Sequence, residues 1–257
     1  MLTGGRPGVV ATVAAVLLLG ACHAAVKSQV VEPPLNPDQF QAPAFTTGPG
    51  VNNKPPVDVL TGSVANVEAI AFPASDGTHL FGYLFGADGK RSKGAILVHS
   101  SGSNMAMWYP VARRLMAQGY AVITLDLRGY GDSAGPRQPA AASSDVLGAI
   151  SVLGFSGVQR FGVIGVELGG TAAVQAAFDR EDHAVAVGVI DSQPSFQGLD
   201  ASAAARAYKG RSLVISSSGF ESLLRNRTDN TMDVSSTAVV SGSAADAIVS
   251  FVDGSVR

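Results

Sequence analysis

The stretch Gly165-Val166-Glu167-Leu168-Gly169 decides how the whole chain is interpreted. It joins a predicted strand to a predicted helix with almost no connecting residues. A residue held at so sharp a turn needs small neighbours, and the two glycines flank it without the clash that a Cβ atom would bring. The residue that this turn presents at its tip is Glu167.

From residue 64 onward, strand and helix patterns alternate around this turn. Strands are predicted at 67–72, 80–85, 94–99, 120–127, 160–166, 185–190, 212–216 and 238–240. Helices are predicted at 107–118, 144–153, 168–178, 201–207, 220–225 and 244–251. A hairpin leading into repeated β–α units implies a doubly wound, mostly parallel sheet of about eight strands. Ligand sites in such sheets lie beyond the carboxyl ends of the strands, so the residues directly after each strand are the candidate site.

Three segments, in this order and at these spacings, resemble the α/β-hydrolase family. Residues 97–102, with Trp108 beyond them, are similar to the family's His-Gly loop, and residues 126–133 are similar to its Asp-x-Arg-Gly-x-Gly-x-Ser turn. Residues 164–170 resemble its nucleophile elbow. The resemblance covers roughly residues 66–253 and implies an α/β-hydrolase-like sheet. Only Ser192 to Leu199 separates the sixth strand from the next helix, which predicts a minimal core without a lid.

The resemblance also implies roles for single positions. The family places Ser, Cys or sometimes Asp where this chain has Glu167, and it takes oxyanion donors from two backbone N–H groups, here those of Leu168 and Ser101. A Glu could form an ester intermediate, but its carboxylate reaches one methylene further than that of Asp. Hydrolysis of such an intermediate would also require a base.

The family's late His is absent, since no His occurs after His183. His99 lies at the correct sheet edge and is the remaining candidate base. The residues after the seventh strand contain no Asp at the usual place for the triad acid, so Asp191, after the sixth strand, is the possible acid. The Ser nucleophile and the late His of the triad are therefore missing by sequence, and Asp191 is the candidate for the third position.

Glu167 has other interpretations. A carboxylate near a helix N-terminus is favoured by the free N–H groups there, and it could also contact a ligand or a cation. Glu167, Asp191, Glu221 and Asp246 all follow predicted strands, so they could form one acidic mouth. Cys22 is the only cysteine, which excludes a Cys-rich zinc site. No metal site and no cofactor are predicted.

The N-terminal residues predict a lipid anchor. Arg6 precedes an apolar run at 9–19, which is too short for a comfortable membrane span, and Leu19-Gly20-Ala21-Cys22 resembles a bacterial lipobox. We expect a signal peptide at 1–21, a Pro-rich tether at 22–63 that begins with the lipidated Cys22, and an α/β-hydrolase-like domain at 64–257. A plain secretory signal or an uncleaved anchor are the alternatives. The expected location is the extracytoplasmic side of a bacterial envelope.

Composition bounds the function. The 257 residues carry a formal net charge of −2, and 46% are hydrophobic, so a sizeable core is expected and a nucleic-acid partner is not. Three functions remain open: a binding protein for a small ligand or an envelope partner that has lost Ser-His-Asp catalysis, a hydrolase of carboxylic esters or related acyl bonds with an atypical site around Glu167, and a structural envelope lipoprotein. The oligomeric state stays undetermined.

Overall fold

One eight-stranded sheet organises the domain in the computed structural model, which describes residues 66–88, 91–230 and 242–257. Its strands are β1 (Val67–Pro73), β2 (His79–Phe85), β3 (Lys93–Val98), β4 (Ala121–Asp126), β5 (Arg160–Val166), β6 (Ala184–Ile190), β9 (Arg211–Ile215) and β10 (Arg227–Asn230). The short strands β7 (Ser195–Phe196) and β8 (Leu199–Asp200) pair with each other outside this sheet.

The order across the sheet is β1-β2-β4-β3-β5-β6-β9-β10. β1 pairs antiparallel with β2, β2 pairs antiparallel with β4, and every later pairing is parallel. The prediction of a mostly parallel, doubly wound sheet of about eight strands is confirmed. The carboxyl ends of β3, β5 and β6 lie side by side, which brings the candidate residues of the sequence to one edge.

Helices cover both faces of the sheet. They are α1 (Tyr109–Ala117), α2 (Ala142–Phe155), α3 (Leu168–Asp179), α4 (Ser202–Ala207), α5 (Phe220–Leu223) and α6 (Gly242–Ser255). The buried side chains of α2, α3 and α4 form one apolar layer with the sheet, and those of α1 and α6 form the other. Alternate strand residues enter opposite layers, as the period-2 geometry of a strand requires.

The structure differs from the sequence prediction at two elements. The predicted helix at 107–118 is a 3-10 turn, Met105–Trp108, followed by α1, and Pro110 lies in the first turn of α1, where its missing N–H removes no helical hydrogen bond. The predicted strand at 238–240 lies outside the described residues. The sequence reading missed β10, because Arg-Thr-Asp-Asn lacks the apolar alternation that marks a strand.

The predicted signal peptide, the tether and Cys22 also lie outside the described residues. Within the described part of the chain, none of the helices has both the length and the apolar character needed to cross a bilayer. The minimal core is visible between β6 and α4, where the β7–β8 hairpin is the entire connection.

Candidate functional site

The elbow between β5 and α3 holds Glu167 in a conformation that side-chain-bearing residues rarely adopt, with φ of 51° and ψ of −117°. The flanking glycines are required by close packing. A Cβ atom on Gly165 would lie 2.2 Å from the carbonyl carbon of Gly169, and one on Gly169 would lie 2.5 Å from the carbonyl oxygen of His99. The strained elbow is thus enforced by its surroundings, as such conformations must be to persist.

The carboxylate of Glu167 reaches back over the neighbouring strand end to Ser101. The backbone N–H of Ser101 donates to Glu167 Oε2 at 2.7 Å, and the Ser101 hydroxyl donates to the same oxygen at 2.5 Å. Ser101 was predicted from the sequence as one of the two oxyanion donors, and Leu168, the other, is the buried first residue of α3. One carboxylate oxygen of the protein therefore binds the backbone donor that the sequence predicts for an oxyanion.

His99 is fully buried at the end of β3, with both ring nitrogens within hydrogen-bond distance of the backbone. Nε2 accepts from the N–H of Leu127 at 3.0 Å, so Nδ1 carries the proton and donates to the carbonyl of Ser100 at 2.7 Å. Burial lowers the pKa of His99, which favours this neutral form. A role for His99 as a base would require these backbone bonds to break first.

Asp191 follows β6 and lies beside the elbow, since the N–H of Glu167 donates to the carbonyl of Ile190. It is exposed and also has a positive φ, 47°. Partial burial and then the negative charge of Glu167 raise the pKa of Asp191. The structure thus brings Glu167 and Asp191 together, and the charge that raises the pKa of Asp191 is the carboxylate of Glu167.

The loop that carries Ser101 is anchored to the turn after β4. The backbone N–H of Met105 donates to Asp126 Oδ1 at 2.9 Å, and burial raises the pKa of Asp126. Ser133 connects this turn to β2, because its hydroxyl donates to the carbonyl of Asp126 and accepts from the N–H of Phe81. These contacts place Ser101 against the elbow.

A buried ion pair supports the same turn from the other side. Arg128 donates through Nε and Nη2 to Asp145 Oδ1, at 2.8 and 2.6 Å, and through its backbone N–H to Oδ2. Its remaining guanidinium nitrogen lies 2.7 Å from Asp76 Oδ2. Two guanidinium donors on one carboxylate oxygen and a backbone donor on the other fix the geometry of the pair as well as neutralising its charge. Asp126 and Arg128 therefore brace the turn.

A narrow cavity without room for a water molecule adjoins the elbow through Leu168. The buried ring of Tyr130 lines it, and the Arg137 guanidinium stacks over this ring, 4.2 Å from its centroid. The other lining residues are Leu127, Arg128, Gln138, Pro139, Ala142 and Asp145. It is therefore a packing gap beside the elbow and does not form a pocket for a drug-sized molecule.

The predicted acidic mouth of four residues is wrong in one member. Asp246 lies on α6, 64% exposed, and its carboxylate pairs with Arg114 of α1. The sequence reading placed it after a strand at 238–240, whereas α6 already begins at Gly242. In the described ranges, no three His, Cys, Asp or Glu side chains are arranged to hold a metal ion.

Comparison with known proteins agrees with this geometry. The model of the alpha/beta hydrolase family matches residues 95–250, more than half of the chain, including the Ser101 loop and the elbow. The chain belongs to the α/β-hydrolase family.

Two relatives of this α/β-hydrolase chain share part of its sequence. Fluoroacetate dehalogenase from a Burkholderia species is 33% identical over 109 residues, which are 39% of this chain and 34% of that protein. A pimeloyl-acyl-carrier-protein methyl ester esterase from Aliivibrio salmonicida is 33% identical over 101 residues, 39% of this chain and 36% of the esterase. The matched stretches span only about a third of each relative.

Solved structures show the same fold. An esterase from Pyrococcus furiosus aligns with a TM-score of 0.65 at 15% identity, covering 80% of this chain and 96% of the esterase. An esterase from Exiguobacterium antarcticum aligns with a TM-score of 0.60 at 13% identity, covering 71% and 98%. Identities this low establish the fold alone.

Sequence reasoning missed the second contact of Ser101. It treated this residue as a backbone donor, whereas the hydroxyl also binds Glu167. The sequence could have indicated this contact, because a long acidic side chain stands at the elbow and a hydroxyl stands on the neighbouring loop. The stacking of Arg137 on Tyr130 at the cavity carried no signal in the sequence pattern.

Proposed function

We propose that this protein is a membrane-anchored α/β-hydrolase-family protein that has given up Ser-His-Asp catalysis and uses the cleft around Glu167 for binding. The observation that carries the proposal is the bond from the Ser101 backbone N–H to the Glu167 carboxylate. An oxyanion hole works because its donors are aimed at an oxygen that becomes charged in the transition state. Here the donor, the Ser101 backbone N–H, is already bound to a carboxylate oxygen of Glu167.

The state of the two candidate bases, His99 and Asp191, also supports the loss of Ser-His-Asp catalysis. Acyl transfer at an elbow needs a group that accepts the nucleophile's proton or activates water. Both nitrogens of His99 engage the backbone, and Asp191 is adjacent to a like charge. A second carboxylate beside Glu167 does not reproduce the imidazole of the family's triad.

The size of the cleft limits what binds there. The cavity beside the elbow has no room for a buried ligand, so binding would use the exposed surface around Glu167 and Asp191 rather than a pocket for a long acyl chain. The anchor is the acylated Cys22, reached through the Pro-rich segment 22–63, which would hold the domain on the extracytoplasmic side of the envelope. A purely structural envelope role would share this anchor but would not require the cleft.

A second candidate function is hydrolysis of carboxylic esters through an atypical site. The strained elbow is retained, and the Ser101 hydroxyl lies 2.5 Å from a carboxylate oxygen that could accept its proton. Two of the relatives are named as a dehalogenase and an ester hydrolase. This candidate predicts measurable turnover that depends on both Ser101 and Glu167.

Ester hydrolysis by the purified protein separates the two candidates. Short p-nitrophenyl esters and a fluorophosphonate probe are offered to the wild type, Glu167→Gln and Ser101→Ala. The binding function predicts buffer-level turnover and no labelling in all three. Turnover by the wild type that both variants abolish would replace the binding function with the atypical hydrolase.

Labelling cells with an alkyne fatty acid, with Cys22→Ser as control, tests the anchor separately.

A further inference from the structure

Basic residues begin four of the six strands in the parallel part of the sheet. They are Lys93 of β3, Arg160 of β5, Arg211 of β9 and Arg227 of β10. All of these strand starts lie at the amino edge of the sheet, opposite the cleft. The cleft at the opposite, carboxyl edge carries Glu167 and Asp191, which directly follow β5 and β6.

The charge is concentrated at the β9–β10 end of the amino edge. We call this set the basic corner: Arg206, Lys209, Arg211, Arg225 and Arg227, all exposed. Residues 206–211 and 224–227 contain no Asp or Glu. The chain as a whole has a formal net charge of −2, so the corner is a local concentration of positive charge.

The two connections that form the basic corner are in contact. The side-chain amide of Asn226 donates to the carbonyl of Lys209 at 2.6 Å, and the N–H of Ser212 donates to the carbonyl of Asn226 at 2.9 Å. The guanidinium of Arg211 also donates to the carbonyl of Gly254 at the end of α6, at 2.9 Å. These contacts hold the two connections together at one end of the sheet.

The polypeptide enters the domain at the same edge. Asn66, the first described residue, accepts from the N–H of Gly86 through its carbonyl, and Val67 is paired with Phe85. Phe85 in turn is paired with Val122, close to the start of β4. A tether from the membrane would thus meet the domain on the same edge as the basic corner, at the β1 end of the sheet, while the cleft lies at the far edge.

From this placement we propose that the amino edge docks on anionic phospholipid headgroups through the basic corner, with the Glu167 cleft directed away from the bilayer. The inference rests on the membrane anchoring in the proposed function. Headgroup phosphates attract Lys and Arg within a Debye length of the surface, so the attraction depends on salt. Each such residue at the surface changes partitioning by about fivefold.

Vesicle sedimentation tests the docking surface without any acyl chain. The chain from residue 22 to 257 with Cys22→Ser is mixed with vesicles of phosphatidylcholine alone or with about one third phosphatidylglycerol. We expect binding only to the anionic vesicles, decreasing as salt is raised. Lys209→Gln with Arg225→Gln should lower partitioning about 25-fold. Arg113→Gln with Arg114→Gln on α1 removes the same charge and should leave it within twofold.

Thermal unfolding of each variant verifies that the fold is intact. Salt-independent binding, absence of binding to the anionic vesicles, or equal losses in the two double variants would overturn the proposal. Equal retention on DNA at physiological salt would also overturn it, because the corner would then be a general polyanion site. If the wild-type protein is not labelled by the fatty acid, the anchor is refuted. That result leaves this vesicle measurement unaffected, so the two failures are distinguishable.

Discussion

The backbone N–H of Ser101 and the carboxylate of Glu167 meet at 2.7 Å, although 66 positions separate the two residues in the chain. This contact joins the loop after β3 to the elbow after β5. The Ser101 hydroxyl binds the same oxygen, so the half-buried carboxylate has two donors from one residue. A substrate oxyanion would have to displace it.

This contact should be measurable as coupling between two side chains. Ser101→Ala removes the hydroxyl bond but keeps the backbone bond, and we expect a loss of about 1 kcal/mol in the free energy of unfolding, since hydrogen bonds to charged groups contribute about 1.5–3 kcal/mol when buried and less when half exposed. In a double-mutant cycle with Glu167→Gln, measured by urea unfolding, the two effects should be non-additive. Ser103→Ala is the control on the same loop. Additive effects would show that the hydroxyl contact contributes nothing.

Restoring the family's nucleophile should not restore its chemistry. Glu167→Ser places a hydroxyl at the elbow, but His99, the candidate base at this edge of the sheet, is engaged by the backbone of Leu127 and Ser100. We expect p-nitrophenyl acetate turnover by this variant to remain at the rate of Glu167→Ala. A gain of a hundredfold or more would show that a base we have not identified acts at the elbow.

Burial of neutral His99 predicts a pH dependence of stability. Its pKa is lower in the folded chain than the value of about 6.5 expected when unfolded, so unfolding at acidic pH takes up a proton. The stability that neutral His99 contributes is complete above pH 6.5 and decreases as the pH falls below it, by up to about 1.4 kcal/mol per pH unit.

Urea unfolding between pH 7.5 and 5.5 measures this slope. His99→Asn should be less stable overall but should show a shallower slope below pH 6.5. His183→Gln, which removes an imidazole that is 53% exposed, should keep the slope of the wild type. An unchanged slope in His99→Asn would contradict the assignment.

The ion pair between Arg128 and Asp145 should be costly to break from one side. Asp145 is completely buried, so Asp145→Asn leaves the guanidinium with Asp76 as its remaining carboxylate partner, and we expect a loss of about 3–5 kcal/mol. Asp88→Asn, which removes the partner of Arg91 where the carboxylate is 39% exposed, should cost at most about 1 kcal/mol. Urea unfolding compares the two, and similar losses would show that burial does not set the cost.

The sequence was sufficient for the elbow and insufficient for what the elbow touches. Two glycines around a single residue predict the turn, because the crowding at Gly165 comes from Gly169 in the same turn. The bond between Glu167 and Ser101 depends on the register of two strands and on a side-chain conformation, which local patterns do not encode. The sequence places Asp246 directly after a predicted strand and so predicts it at the cleft. In the structure Asp246 lies on α6 and pairs with Arg114 of α1.

The arrangement of charged residues around the sheet could not be predicted from the sequence either. A net charge of −2 gives no indication that carboxylates follow the strands at one edge of the sheet and that basic residues begin four strands at the other. Only the strand order shows that Arg211 and Arg227 lie on adjacent strands. The topology, which brings distant segments together, supplied this information.

Binding of a free carboxylate by Glu167→Ala tests most directly the claim that Glu167 occupies the oxyanion hole. Removing the side chain should leave the Ser101 donors open to an anion of the same chemistry. We predict that acetate raises the Tm of Glu167→Ala in a saturable way relative to chloride at equal ionic strength, and leaves the Tm of the wild type unchanged. Equal responses of the two proteins to acetate would contradict the account.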